Sequence, residues 1–263
     1  LEGLAAGQLV LHHQPKRDIR SGRICGVEAL VRWRHPTRGF LPPDRFIPLA
    51  EETGHIRALT DWVLAQAIEH QAAMRLAHHE LEMSVNISGR LLSDPDFGDV
   101  ALRLAGQAEG RLCFEVTETA VIENPELALA LIERFAGAGL HISIDDYGSG
   151  LSSLAYLKQI KANELKIDKA FVLNIADSQR DALLVRSTVD LAHSLGLKVT
   201  AEGVETDTGY AILAAMGCDV AQGYLIARPM PLKELLTFLQ EDRRANSAVS
   251  AGWTPVAGVG RGA

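Results

Sequence analysis

The chain has 263 residues, enough to bury one barrel-sized core or two small ones. Apolar residues make up 47% and charged residues 22%, the balance of a folded globular protein, and no run approaches the roughly 18 apolar residues of a membrane span. A net charge of −7 argues against a duplex nucleic-acid binder, which presents a basic face, but leaves room for a small anionic substrate carried by divalent cations.

From about Gln8 to Leu239, short β-like runs alternate with helical ones. Strands are expected at 9–12, 24–33, 81–87, 112–116, 140–144, 164–167 and 197–201, with a weaker one at 219–224. Helical spacing recurs between them. Phe97, Val100, Ala101, Leu104 and Ala105 mark one buried face; Val185, Val189 and Ala192 mark another; Leu232, Leu235, Leu236 and Leu239 mark a third. Asn124-Pro125 reads as a helix start, and Thr206 as the cap of a helix that Gly217 ends.

Eight strands alternating with helices predict a closed α/β barrel of the TIM-like (β/α)8 kind, with an open doubly wound sheet as the rival. The link 15–22, PKRDIRSG, is shorter than the dozen or so residues of a parallel crossover and holds turn signals at Asp18 and Ser21-Gly22. The first two strands should therefore pair antiparallel. The barrel is expected over 1–242. The stretch 243–263, rich in Gly, Ala and Ser, reads as a loose tail. The start at Leu1, without an initiator Met or signal-peptide pattern, suggests a piece cut from a longer protein. Cys25, Cys113 and Cys218 are far apart, in small or apolar runs with no C-x-x-C, and fit buried reduced thiols in a cytoplasmic setting.

Active sites of β/α barrels lie at the C-terminal strand ends, and here those ends carry a consistent chemistry. The second strand holds Glu28, and the third ends in Asn86. The fourth carries Glu115 with Glu118 after it, and the fifth ends in Asp145-Asp146 before a Gly-rich turn. The sixth holds Lys166 and Asp168, the seventh ends in Glu202 with Glu205 beyond, and the eighth carries Gln222-Gly223. Singly, each has an ordinary explanation: Glu28 paired with Arg32, Asn86 in a turn, Glu115 and Glu118 opening a helix, the glycines forming a loop. Together they repeat at nearly every strand end. Carboxylates are costly in apolar strands unless paired or metal-bound. An oxygen-rich set with little His or Cys suits Mg²⁺ or Mn²⁺, and a pair of such ions can drive phosphate-ester cleavage. The nine His residues read as structural or exposed, and Ser152-Ser153 lacks the setting of a nucleophile elbow.

Glu28-Ala29-Leu30 with Arg32, SVNIS, EVTE, DDYGSGLSSL, LKID, AEGVE and AQGY stand in the order seen in EAL-domain proteins, so the chain resembles that family from about Gln14 to Pro231. The resemblance implies a β/α barrel with a reversed first strand. It also implies hydrolysis of cyclic di-GMP to linear pGpG with two Mg²⁺ or Mn²⁺ ions. Glu28, Asn86, Glu115, Asp145 and Asp146 match metal ligands. Glu202 matches a residue that is either a ligand or the general base, and Lys166 the residue that positions the attacking water. Catalysis is thus assigned to Glu202, Lys166 and Glu28.

On the substrate side fall Gln14, Leu30, Arg32, Asp168 and Gln222. Arg32 reaches a phosphate, and Gln222 lies near the ions and water. Glu118 matches a residue holding the DDYGSG loop, and Glu205 a supporting acid. Degenerate members that only bind cyclic di-GMP usually lack one or more acids, whereas none is missing here; a non-catalytic sensor is the alternative. Departures are Tyr147 for Phe, Leu151 for an aromatic, Ala162 for Pro, and Ile226 for an aromatic near the guanine contacts. The resemblance further implies a homodimer coupled to the metals through 148–154, a parent protein with sensor or GGDEF domains, and a cytoplasmic location.

Overall fold

The computed structural model describes residues 2–94, 96–148 and 157–251. Ten strands form one sheet: β1 (Leu9–Asp18), β2 (Ile24–His35), β3 (Gly39–Leu41), β4 (Glu82–Asn86), β5 (Leu112–Thr117), β6 (His141–Tyr147), β7 (Glu164–Ile167), β8 (Lys198–Ala201), β9 (Val220–Gln222) and β10 (Met230–Pro231). From β2 through β4 to β9, each barrel strand pairs parallel with the next. β1 closes the ring by pairing antiparallel with β2 on one side and β9 on the other. The result is the expected TIM-like barrel with a reversed first strand. β3 extends β2 and β10 extends β1, both antiparallel.

The hairpin is tighter than the sequence suggests. β1 runs on through Pro15 to Asp18, so residues placed in the link belong to the strand. Pro15 has no N–H to give, and it pairs only with Val27 on β2; pairing to β9 begins one residue later at Lys16. The Asp18 carboxylate accepts hydrogen bonds from the Ser21 amide (2.7 Å) and hydroxyl (2.6 Å), and Gly22 takes the positive φ that finishes the turn.

The apolar core lies between strands and helices. In β5, Phe114 and Val116 face outward; the Phe114 ring meets Phe135 of helix Pro125–Gly137 edge-on at 5.1 Å, and Phe135 meets Phe97 of helix Phe97–Ala105 at 6.1 Å. Val185, Val189 and Ala192 are the buried face of helix Gln179–Ser194, as their spacing predicts. Thr206 caps helix Asp207–Ala215 through the Gly209 amide, and Gly217 takes positive φ just beyond its end. Asn124 precedes helix Pro125–Gly137, but its side chain makes no capping bond.

Two further expectations change, and one histidine proves structural, as expected. The last helix, Leu232–Ala251, continues well past 242: Arg17 anchors Asp242 at 2.7 Å, and Asn246 reaches back to Asp242 at 2.9 Å, so 243–251 is helical and 252–263 lies outside the described residues. Cys113 and Cys218 are buried and free, but Cys25 is exposed near the start of β2. His13 is fully buried, its Nε2 lying 2.8 Å from His70 Nδ1.

Candidate active site

Alternation along the strands turns a second set of residues inward. Glu28, Ser84, Glu115, Ser143, Asp145, Glu164, Lys166, Thr200 and Gln222 are all polar and all buried. Register stacks them: Glu28 pairs with Gln14 and Ser84, Glu115 with Asn86 and Ser143, and Asp145 with Thr117. Leu, Ile and Val usually fill such barrels. Here charge fills the middle.

Lys166 is the hub. Its side chain has no solvent exposure, and its Nζ lies 2.6 Å from Glu202, 2.9 Å from Glu115, 3.0 Å from Asp145 and 3.8 Å from Glu28. Burial alone would depress this ammonium, but the surrounding carboxylates, Asp145 and Glu115 foremost, outweigh it and hold the group charged well above the usual lysine range. Glu115 is the reciprocal case: burial opposes its charge, yet Lys16 and Lys166 hold it far below the ordinary carboxyl range. Glu28 is pushed up, first by burial and then by Glu115. Its two oxygens are held apart, Oε1 accepting from Asn86 Nδ2 at 2.7 Å and Oε2 from Gln222 Nε2 at 2.6 Å. Gln222 Nε2 also reaches Gln14 Oε1 at 3.3 Å, and the buried Gln222 Oε1 acceptor has no partner among the described residues.

Adjacent strand residues should point to opposite faces, so Asp145 and Asp146 cannot both face the site on an ordinary strand. Asp146 escapes this by adopting φ +54°, where the β6–β7 register shifts between Ile144 and Tyr147. Carboxylate oxygens of Asp145, Asp146 and Glu202 thereby lie within 4.8 Å of one another. Burial, then Asp145 and Asp168, push the Asp146 carboxyl up to about 6. Burial pushes Glu202 up to about 8, because Lys166 only partly offsets it. Three convergent carboxylates, an unpartnered amide oxygen nearby and no sulfur or imidazole in the cluster fit a hard divalent cation.

The remaining predicted residues are distributed around this centre. Glu118 is buried and accepts from the Gly148 amide at 3.4 Å, holding the start of the glycine turn; residues 149–156 lie outside the described set, so the expected coupling through 148–154 falls mostly there. Asp168 caps helix Lys169–Val172 through the Ala170 amide at 2.6 Å and hydrogen-bonds Asp146. Leu30 and Arg32 share the face of β2 that carries Glu28; both are half-buried, and Arg32 donates to the Val31 carbonyl at 2.9 Å. A cavity of about 480 Å³, lined by Glu28, Leu30, Ile47, Thr60 and Asn86, opens beside the acids. Glu205 is exposed, and its side chain has no hydrogen bond or ion pair among the described residues.

The sequence reading misses Lys16, Ser84 and Glu164, which continue the charge network below Glu115. Lys16 stands two residues after Gln14, on the same strand face, and only the underestimated length of β1 hides it.

The family model described as "EAL domain" matches residues 1–229. The chain belongs to the EAL domain family. Among curated relatives it is 44% identical over 246 residues to cyclic di-GMP phosphodiesterase NbdA of Pseudomonas aeruginosa, covering 92% of this chain and 31% of that protein. It is 40% identical to the bifunctional diguanylate cyclase/cyclic di-GMP phosphodiesterase MucR of the same organism, covering 89% and 35%. The chain thus spans about a third of the length of these relatives. The PaMucR phosphodiesterase solved as a c-di-GMP complex superposes with a TM-score of 0.84 at 39% identity, over 89% of this chain and 96% of that one. The EAL enzyme Bd1971, solved in a cAMP and cyclic-di-GMP bound form, gives 0.85 at 30% identity, over 90% and 66%.

Proposed function

We propose that this EAL domain hydrolyses cyclic di-GMP to linear pGpG. The observation that carries this reading is the convergence of Asp145, Asp146 and Glu202 around Lys166, in a chain similar to named cyclic di-GMP phosphodiesterases. Glu28, Asn86, Glu115, Asp145, Asp146 and Glu202 would hold two Mg²⁺ or Mn²⁺ ions. When bound, the ions supply positive charge beside the attacking water and the leaving ribose oxygen.

The protein's own groups do the rest. Lys166 Nζ, kept charged by its neighbours, donates to the attacking water and fixes its direction. Glu202, whose carboxylate lies 2.6 Å from the Lys166 ammonium, is placed to take the proton the water loses. The water oxygen bonds to phosphorus, the bond from phosphorus to the ribose oxygen breaks, and that oxygen takes a proton from solvent water as it leaves. Arg32 holds a phosphate with its fork of donors, while Gln14, Leu30, Asp168 and Gln222 contact the nucleotide. Glu118 keeps the turn after Asp146 in place.

The length of the relatives beyond this domain favours a parent protein with sensor or GGDEF domains; the homodimer rests on the family resemblance alone. A cytoplasmic location, as a free protein or as the cytoplasmic domain of a membrane-bound one, is part of the same proposal, since the substrate is an intracellular messenger.

The test is incubation of the domain with cyclic di-GMP and Mn²⁺, followed by chromatography. Wild-type protein should yield pGpG, whereas Glu28→Ala, Asp146→Ala and chelation should each abolish turnover. Intact substrate with tight binding would replace the enzyme reading with the sensor. Undiminished turnover by Glu28→Ala would overturn the mechanism.

A further inference from the structure

Lys16 is a fully enclosed lysine, 3% exposed, with no part in the reaction as described above. It comes from β1, the reversed strand, and its stem crosses the barrel interior to β5. Its Nζ donates to Glu115 Oε1 at 2.6 Å and to Ser84 Oγ at 2.8 Å, with Glu164 Oε1 at 3.6 Å below. Lys166 takes the other Glu115 oxygen, Oε2, at 2.9 Å. Each oxygen of Glu115 is therefore held by a different lysine. Lys16 makes no ion pair with Glu28, Asp145, Asp146 or Glu202 among the described residues.

Burying such a network gains little stability over apolar side chains of the same volume. Its specific effect is geometric. A carboxylate on a flexible stem has several rotamers, and a cavity of about 320 Å³ lined by Lys16, Cys113, Glu164 and Lys198 lies beneath Glu115 on the barrel floor. Without the Lys16 ammonium, Glu115 Oε1 loses its charged donor and can turn toward that space. With it, Oε1 is pinned downward and Oε2 is presented to the site.

Resting on the metal-dependent reading above, we propose that Lys16 is a positioning residue that presents Glu115 to the divalent cation. Ser84 aims the ammonium and Glu164 balances its charge. Residues that orient a metal ligand typically contribute 10–100-fold to metal affinity.

The experiment is calorimetric titration of Mn²⁺ into metal-stripped domain, with thermal unfolding as a folding check. The charge-balanced double variant Lys16→Met/Glu164→Gln is expected to fold and to bind Mn²⁺ about 10–100-fold more weakly, while Glu164→Gln alone stays within about twofold of wild type. With cyclic di-GMP, the double variant should keep its KM at saturating Mn²⁺ and recover kcat as Mn²⁺ is raised. Ser84→Ala, which removes one hydroxyl and spares the fold, should weaken Mn²⁺ binding about threefold. Wild-type affinity in the double variant overturns the proposal; if that variant does not fold, wild-type affinity in Ser84→Ala does. Wild-type protein that binds Mn²⁺ but leaves cyclic di-GMP intact overturns the hydrolase reading alone, and one that binds no Mn²⁺ overturns both.

Discussion

Metal affinity should depend steeply on pH, with a sign set by the raised carboxyls of Glu28, Glu202 and Asp146 and a least size set by the last two. Glu202 is pushed up to about 8 and Asp146 to about 6, both chiefly by burial. A cation needs both deprotonated, so binding must expel their protons. At pH 6 a carboxyl with a pKa near 8 is only about 1% ionised, and at pH 9 about 90%, so Glu202 alone changes the apparent affinity about 90-fold; Asp146 adds about another twofold. Glu115, held low by its lysines, is ionised throughout and adds nothing. The Mn²⁺ Kd should therefore fall by at least about two orders of magnitude from pH 6 to pH 9.

Stability in the absence of metal runs the other way. A carboxyl raised on folding stabilises below its unfolded pKa, and that contribution is lost as pH rises through the folded value. Metal-free protein should thus lose Tm between about pH 4 and 8, while the increase in Tm on adding Mn²⁺ grows. Calorimetry in two buffers of different ionisation enthalpy counts the protons released: close to one near pH 7, and close to none at pH 9. A Kd that is flat from pH 6 to 9, with no proton release, would refute the assignment of these acids as a protonated cation site.

Arg32→Lys keeps the charge but loses the planar fork, so KM for cyclic di-GMP should rise about tenfold with kcat unchanged; steady-state kinetics at saturating metal reads the split, and a kcat loss without a KM rise would place Arg32 in the chemical step. Gly223→Ala should destabilise the domain severely. An added Cβ would sit 2.2 Å from the Val204 carbonyl oxygen and 2.3 Å from its amide nitrogen, and backbone cannot move aside as a side-chain tip can. A loss of about 2 kcal/mol or more in urea unfolding is expected, and a wild-type midpoint would contradict the close approach.

Strand identity was legible because alternation is local: 112–116 and 164–167 read correctly from a few residues each. The reversed first strand was legible from the shortness of one link. The extent of β1 was not, because whether Pro15 can sit in a strand depends on which neighbour lies across from it. The helix beyond 242 was hidden in the same way, since small residues carry no periodic signal and the anchoring pair joins Arg17 to Asp242, 225 positions apart.

The acids of the site could be named from sequence, since ionisable residues placed at strand end after strand end in one order are costly unless they share a purpose. Sequence alone determined the alternation of strands and helices, the reversed first strand and the donor chemistry, because these follow from periodicity, link length and residue type; closure of the ring rests on β1 pairing with β9. Only the tertiary structure decided how those donors meet. It set the positive φ that turns Asp146 beside Asp145, the single ammonium that four carboxylates share, and the lysine from β1 that pins Glu115. Each is a contact between residues remote in the chain or a backbone angle fixed by its surroundings, and no local pattern encodes either.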